Sequence, residues 1–219
     1  DTTPVSFILN CSDNNVNYEK FNETGQMRTT IHENRNHIKQ FTLNNMCKDP
    51  DEYLKWFTFF VTFLQTDRCE IKLFGYYTYN EKSDNIFSLQ HAIQFTTAIQ
   101  VNNNNRNGHI KGFTFGGVFN NTEAFQRIWN TFLETSVEEL HLFINFSKDQ
   151  IGSDDINFTG LFTNTSLKAL YLKKFGISQQ GWRNLFNSIK KNKGLVKLEF
   201  NYWDYKELSK EVKRLFEEM

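Results

Sequence analysis

The sequence predicts an α/β fold of the solenoid kind, in which short strands and helices alternate down the whole chain. Three observations predict it. An apolar triplet with the spacing apolar-x-x-apolar-x-apolar returns about every thirty residues, and a fixed period in that range marks stacked repeats. Each triplet alternates as an extended chain does and is followed by apolar residues three and four apart, the spacing of a helix face. The chain has the bulk for a continuous interior, since 23 of its 219 residues are Phe and aromatics reach 16%. Only two prolines interrupt it, and abundant Asn supplies the turns.

The clearest unit runs from Leu167 to Gly194, where Leu167, Leu170 and Leu172 form the triplet and Phe175, Ile177, Gly181, Leu185 and Ile189 follow. Leu195, Leu198 and Phe200 open the next. Val137, Leu140 and Leu142 open the preceding one, Ile110, Phe113 and Phe115 another, and Ile38, Phe41 and Leu43 an earlier one. Weaker copies are Phe7 and Leu9 after Pro4, and Ile71 and Leu73 after Arg68. Units therefore start near 4, 38, 68, 110, 137, 167 and 195, at intervals of 34, 30, 42, 27, 30 and 28, and tile residues 1–219 as a single domain of about seven repeats. The long third interval places Asn102 to Gly108 (NNNNRNG) in a loop or a helix-end extension.

A helix is expected in every unit. Asp49, Pro50 and Glu52 make a helix start, with Leu54, Phe57 and Leu64 along its face, because Asp accepts from free amides and Pro suits the first helical position. Asn121 precedes Phe125, Ile128, Trp129 and Phe132 in the same way; Ser153 precedes Ile156, and Asp204 with Glu207 precedes Leu208, Val212 and Leu215. The stretch 204–219, with charges of alternating sign, is expected to be a C-terminal capping helix, since a solenoid needs a polar closing unit. A doubly wound sheet is the competing architecture; it calls for longer apolar strands and glycine turns.

These residues resemble the leucine-rich repeat family, of the ribonuclease-inhibitor-like class with a strand and a full helix per unit. The resemblance is closest over Val137 to Phe200. It departs at Phe175, where the family usually carries Asn, with Val118, Phe146 and Trp203 near that place in other units; apolar packing is then expected in place of the family's asparagine ladder. The resemblance implies a curved parallel sheet lining the concave side, helices outside, and work by binding proteins. Family roles include inhibitors, small-GTPase activators, ubiquitin-ligase adaptors and the repeat regions of innate sensors.

With the triplets facing inward, the residues between and after them would line the exposed sheet face. One expected column is Ile8, Thr42, Lys72, Thr114, His141, Tyr171 and Glu199; beside it run Asn10, Asn44, Phe74, Gly116, Phe143, Lys173 and Asn201. Phe74, Phe143 and Tyr171 are the expected anchors, because binding energy concentrates on aromatic residues, with Lys72, His141, Lys173 and Glu199 setting orientation. The alternative for Phe74 and Phe143 is that they cover the sheet, and for His141 that it is an ordinary surface residue.

The expected function is a non-enzymatic protein-binding module. The alternatives are a structural subunit held through helix or lateral surfaces, and a regulatory component such as a small-GTPase activator or an innate-sensor repeat region. Twenty-five basic and 25 acidic residues cancel, giving no footprint for nucleic acid or an anionic membrane. The most apolar run, Trp56 to Leu64, is too short to span a bilayer and reads as a buried helix face. The five histidines, His32, His37, His91, His109 and His141, are spread over three units, without HExxH or another paired spacing, and no cofactor or metal is expected. Asp154 and Asp155 beside Ser153 suit a helix N-terminus.

Cys11, Cys47 and Cys69 lack zinc or redox spacing; Cys11 and Cys47 fall near the same place in adjacent units, as buried thiols. Six sequons, at Asn10, Asn22, Asn120, Asn145, Asn157 and Asn164, stand against about four expected by chance in so Asn-rich a chain. A cytoplasmic location is expected, with a secreted or surface-exposed one as the alternative. Asp1 in place of an initiator Met, and a first strand without an evident cap, suggest the C-terminal part of a longer chain, with membership of a larger complex among the expectations.

Overall fold

A computed structural model describes residues 5–11, 38–65, 71–78, 87–104, 110–119, 121–146, 156–173, 175–201, 206 and 208–218. The elements in chain order are β1 (Val5–Cys11), β2 (Ile38–Asn45), α1 (Pro50–Leu64), β3 (Leu73–Tyr77), α2 (Leu89–Asn104), β4 (Gly112–Phe119) and α3 (Thr122–Glu134). They continue with β5 (Glu139–Phe146), a 3-10 turn (Thr159–Phe162), β6 (Ala169–Lys173), α4 (Gln179–Lys191), β7 (Lys197–Phe200) and α5 (Lys210–Glu217). The fold is α/β with one open parallel sheet, ordered β1 to β7 as in the chain.

That order decides between the two architectures. Parallel crossovers are right-handed, so a chain that steps always in one direction lays every crossover on the same side of the sheet. A doubly wound sheet needs a reversal of strand order to cover both faces, and there is none between β1 and β7. The arrangement is solenoid-like: helices on one face, the other face open.

The triplets build the interior as rows running across the strands. Phe41, Phe74, Phe113, Leu140, Leu170 and Leu198 stand side by side, and Leu9, Leu43, Tyr76, Phe115, Leu142, Leu172 and Phe200 form the next row. In the first row the Phe74 ring lies 6.5 Å from Phe41 and 6.4 Å from Phe113. Each fully buried side chain of this size contributes about 1.5–3 kcal/mol. The helices close over these rows with Trp56, Phe57, Phe60, Phe95, Phe125, Trp129 and Trp182, all buried. In α1, Thr58 and Thr62 face outward between them. Phe175 is buried between Phe125 and Trp182, at 5.8 and 5.7 Å. Ring packing thus fills the place where the sequence lacks Asn.

The helix starts follow the local chemistry. Asp49 accepts from the amides of Asp51 and Glu52, with Pro50 at the first position, and Asn121 accepts from Glu123 and Ala124. Ser88 and His91 bond reciprocally at the start of α2, and Ser178 caps α4. Asn102 and Asn104 belong to the last turn of α2, so this part of the Asn-rich stretch extends a helix. The helix starts expected at Ser153 and at Asp204 with Glu207, and the first-unit helix, fall outside the described residues. The described end of the fifth unit carries a single 3-10 turn, and the described closing helix begins at Ser209, whose Oγ accepts from the amide of Val212.

The third unit corrects the sequence register. Phe74 pairs with Phe41 and Tyr76 with Leu43, so Ile71, Phe74 and Tyr76 are its inward triplet and the unit opens at 71, not 68. The slip is three residues. An odd slip exchanges the two faces of a strand, so Phe74, expected on the open face, is 2% exposed in the core, where Phe and Tyr bury more apolar surface than the alternative pair. Lys72, expected mid-sheet, precedes β3 at the rim; Gly75 takes its place and Tyr77 takes that of Phe74.

A second set of contacts ties the units at the rim where helices end and strands begin. Asn102 Nδ2 donates to the Leu64 carbonyl at 3.0 Å, and Asn164 Nδ2 to that of Leu133 at 2.7 Å. Asn192 Nδ2 donates to the Leu161 and Asn164 carbonyls. In return Asn164 Oδ1 accepts from the Leu167 amide, and Asn192 Oδ1 from those of Gly194 and Leu195. The carbonyls at a helix end lack internal partners; here the next unit's asparagine supplies one.

Candidate functional site

The open sheet face is a grid of three columns over seven strands. Its central column is Ile8, Thr42, Gly75, Thr114, His141, Tyr171 and Glu199. One flank carries Asn10, Asn44, Tyr77, Gly116, Phe143 and Lys173, with Asn201 just after β7; the other carries Ser6, Gln40, Leu73, Gly112, Glu139, Ala169 and Lys197. The β1–β2 end is polar, with Asn44 Nδ2 donating to Asn10 Oδ1 at 2.6 Å and Ser6 Oγ to Gln40 Oε1 at 3.2 Å. Ile8 stands out there at 56% exposed.

The β3 to β7 half is a connected aromatic and charged cluster. Tyr77 meets Phe143 edge-on with centroids 5.5 Å apart, although β4 lies between their strands. Glycine makes the meeting possible: a Cβ on Gly116 would sit 2.0 Å from the Tyr77 ring, so the ring lies flat over β4 where any side chain would stop it. Lys173 Nζ sits 5.5 Å above the centre of the Phe143 ring. In the central column His141 stacks on Tyr171 with centroids 4.0 Å apart and planes 11° apart, while its Nε2 lies 2.7 Å from Glu139 Oε1.

Lys197 covers the same tyrosine, its Nζ 4.8 Å from the ring centre and 3.3 Å from Glu199 Oε2. Contact with Tyr171, and then Glu199, stabilises the Lys197 ammonium and pushes its pKa up. Such cation–π contacts are weak at exposed sites. Their main effect is to hold the rings in fixed orientations.

Of the seven residues singled out from sequence, the structure brings His141, Phe143, Tyr171, Lys173 and Glu199 together on three neighbouring strands. It moves Lys72 to the rim and Phe74 to the core. Sequence reasoning missed Tyr77, Glu139 and Lys197. Tyr77 follows from reading Ile71-x-x-Phe74-x-Tyr76 as the triplet; Glu139 and Lys197 belong to the third column, one turn of the strand alternation earlier.

Among the described residues, shallow grooves mark the helix layer between the 3-10 turn and α4, lined by Phe158, Phe162 and Asn184, and between α2 and α3, lined by Gln100, Gln126 and Asn130. Neither gathers a nucleophile with a base. Among the described residues no three His, Cys, Asp or Glu side chains come together to hold a metal ion, and no helix is long and apolar enough to cross a membrane. No family model matches the chain, and no curated protein matches it.

Proposed function

We propose that this chain is a leucine-rich repeat module of the ribonuclease-inhibitor-like class, and that it works without catalysis, by docking a protein partner on the open sheet face. The observation that carries the reading is the cluster on β3 to β7: Tyr77, Phe143 and Lys173 in one column, His141, Tyr171 and Lys197 beside it, every ring braced by a neighbour. Aromatic side chains held in place lose little rotamer freedom on binding, so more of their contact area becomes affinity. Seven strands about 4.8 Å apart give a face about 30 Å wide, the scale of a protein patch. We place the protein in the cytoplasm, in keeping with the buried thiol of Cys11.

The test is a double substitution, Phe143→Ala with Tyr171→Ala. Both side chains are part-exposed on the open face, so the fold is expected to keep its Tm within about 3 °C, while truncating two anchors costs about 2–4 kcal/mol of partner binding, a thirtyfold or greater loss. A defined partner captured by the wild-type protein and lost by this variant supports docking here. Undiminished capture, or a collapse in Tm, refutes it.

A further inference from the structure

Building on that docking reading, we infer that the partner reaches the face with an acidic, extended segment that lies along a row of lysines where the strands begin. The row is fixed by backbone bonds. The amide of Lys111 donates to the Lys72 carbonyl at 2.7 Å, Glu138 to Lys111 at 2.8 Å, Lys168 to Glu138 at 2.7 Å and Val196 to Lys168 at 2.8 Å. Lys39 precedes Gln40, the partner of Leu73, and so stands beside Lys72. Consecutive strands therefore present Lys39, Lys72, Lys111, Glu138 and Lys168.

Among the described residues the open face and this rim together hold six lysines, with Lys173 and Lys197, against the three glutamates Glu138, Glu139 and Glu199, in a chain whose formal charges cancel. Within the row Lys111 pairs with Glu138 at 2.7 Å, and Lys168 Nζ donates to the Thr165 carbonyl. Lys39 and Lys72 are exposed and meet no carboxylate among the described residues. Like charges opposite one another on neighbouring strands are unfavourable.

The chemistry favours carboxylates over phosphates. Among the described residues every cation on this row is Lys, without the Arg fork suited to bidentate phosphate recognition. Glu138 and Glu139 interrupt the line, which would repel a continuous phosphate backbone and tolerates a mixed peptide. Leu73, 37% exposed, lies between Lys72 and the aromatic cluster and offers an apolar contact to the same segment. Lys39 to Lys111 spans about 10 Å, the length of three residues of extended chain.

The test uses a short fluorescein-labelled peptide of Glu, Leu and Ser, its Gln counterpart, labelled oligothymidylate, and phosphatidylserine vesicles, read by polarisation or co-sedimentation at low and physiological salt. The Glu peptide is expected to bind, the Gln peptide not, and Lys39→Glu with Lys72→Glu to weaken the Glu peptide about tenfold. Both sites are exposed, so Tm is expected to hold. Equal binding of the Glu peptide by wild type and the double variant overturns the inference, as does tighter binding of oligothymidylate or vesicles. If the peptide result fails while a captured partner still depends on Phe143 and Tyr171, only the acidic segment is lost and the docking reading stands.

Discussion

Asn164 offers the sharpest test of how the units are joined. Its side chain is 8% exposed, donates to the Leu133 carbonyl near the end of α3 at 2.7 Å, and accepts from the Leu167 amide at 2.8 Å. Asn164→Ala removes both bonds and leaves a donor and an acceptor with no replacement. The two lost bonds are worth about 1 kcal/mol each, and stranding the buried Leu167 amide adds about 1 kcal/mol more, so a loss of about 3 kcal/mol is expected. In a chain of this size that lowers Tm by about 6–12 °C. Asn164→Asp keeps the acceptor but turns a carboxylate toward the Leu133 carbonyl, and is expected to lose at least as much. Asn187, exposed on α4, serves as control, with Asn187→Ala within about 0.5 kcal/mol of wild type. Guanidinium unfolding followed by circular dichroism gives the energies, and hydrogen exchange at Leu167 reports the bond directly. Wild-type stability in Asn164→Ala, with Leu167 still protected, would show that the asparagine contacts carry no weight. The same geometry bears on the sequon there, because Nδ2 lies against the Leu133 carbonyl in a residue only 8% exposed, which leaves little room for a glycan.

Two further outcomes follow from buried ionisable groups. Burial pushes the phenols of Tyr53 and Tyr76 above their ordinary value of 10.0. The folded state holds these protons after the unfolded chain has released them, so stability is complete below about pH 10 and falls as pH rises beyond it; Tm against pH, with tyrosinate absorbance rising only on unfolding, checks this, and early titration of both phenols in the folded protein contradicts it. Burial, with smaller contributions from Cys47 and Glu52, pushes the Cys11 thiol far up. Since the thiolate is the reactive form, native protein is expected to resist iodoacetamide at Cys11 and to react after denaturation, as peptide mass spectrometry would record.

What the sequence made legible is what periodicity encodes. The alignment of Leu140, Leu170 and Leu198 on adjacent strands, and the caps at Asp49 and Asn121, follow from spacing and residue type alone. The third unit was ambiguous for a physical reason: Ile71-x-Leu73 and Phe74-x-Tyr76 both alternate, and only packing against Phe41 and Phe113 selects the larger pair for the interior. The rim asparagines could not be singled out either. Among 26 asparagines nothing local distinguishes Asn102, Asn164 and Asn192, whose roles depend on carbonyls some thirty residues away.

The open face shows the same dependence on neighbours. Residue types on β5 and β6 alone suggest separate exposed aromatics, and single exposed apolar residues carry little meaning. The structure makes them one surface, and glycine does much of the joining: Gly116 admits the Tyr77 ring across β4 to Phe143, and Gly75 leaves room for Thr42 in the central column. Two kinds of small residue would permit close approach in a strand, yet even Ala at 116 would place a methyl carbon inside the Tyr77 ring's contact distance. Gly in a strand weakens it unless something else packs in the vacated space; here the Tyr77 ring fills it. The cost of that glycine to β4 is therefore offset only while Tyr77 lies flat, which couples the stability of the central strand to the shape of the face proposed to bind.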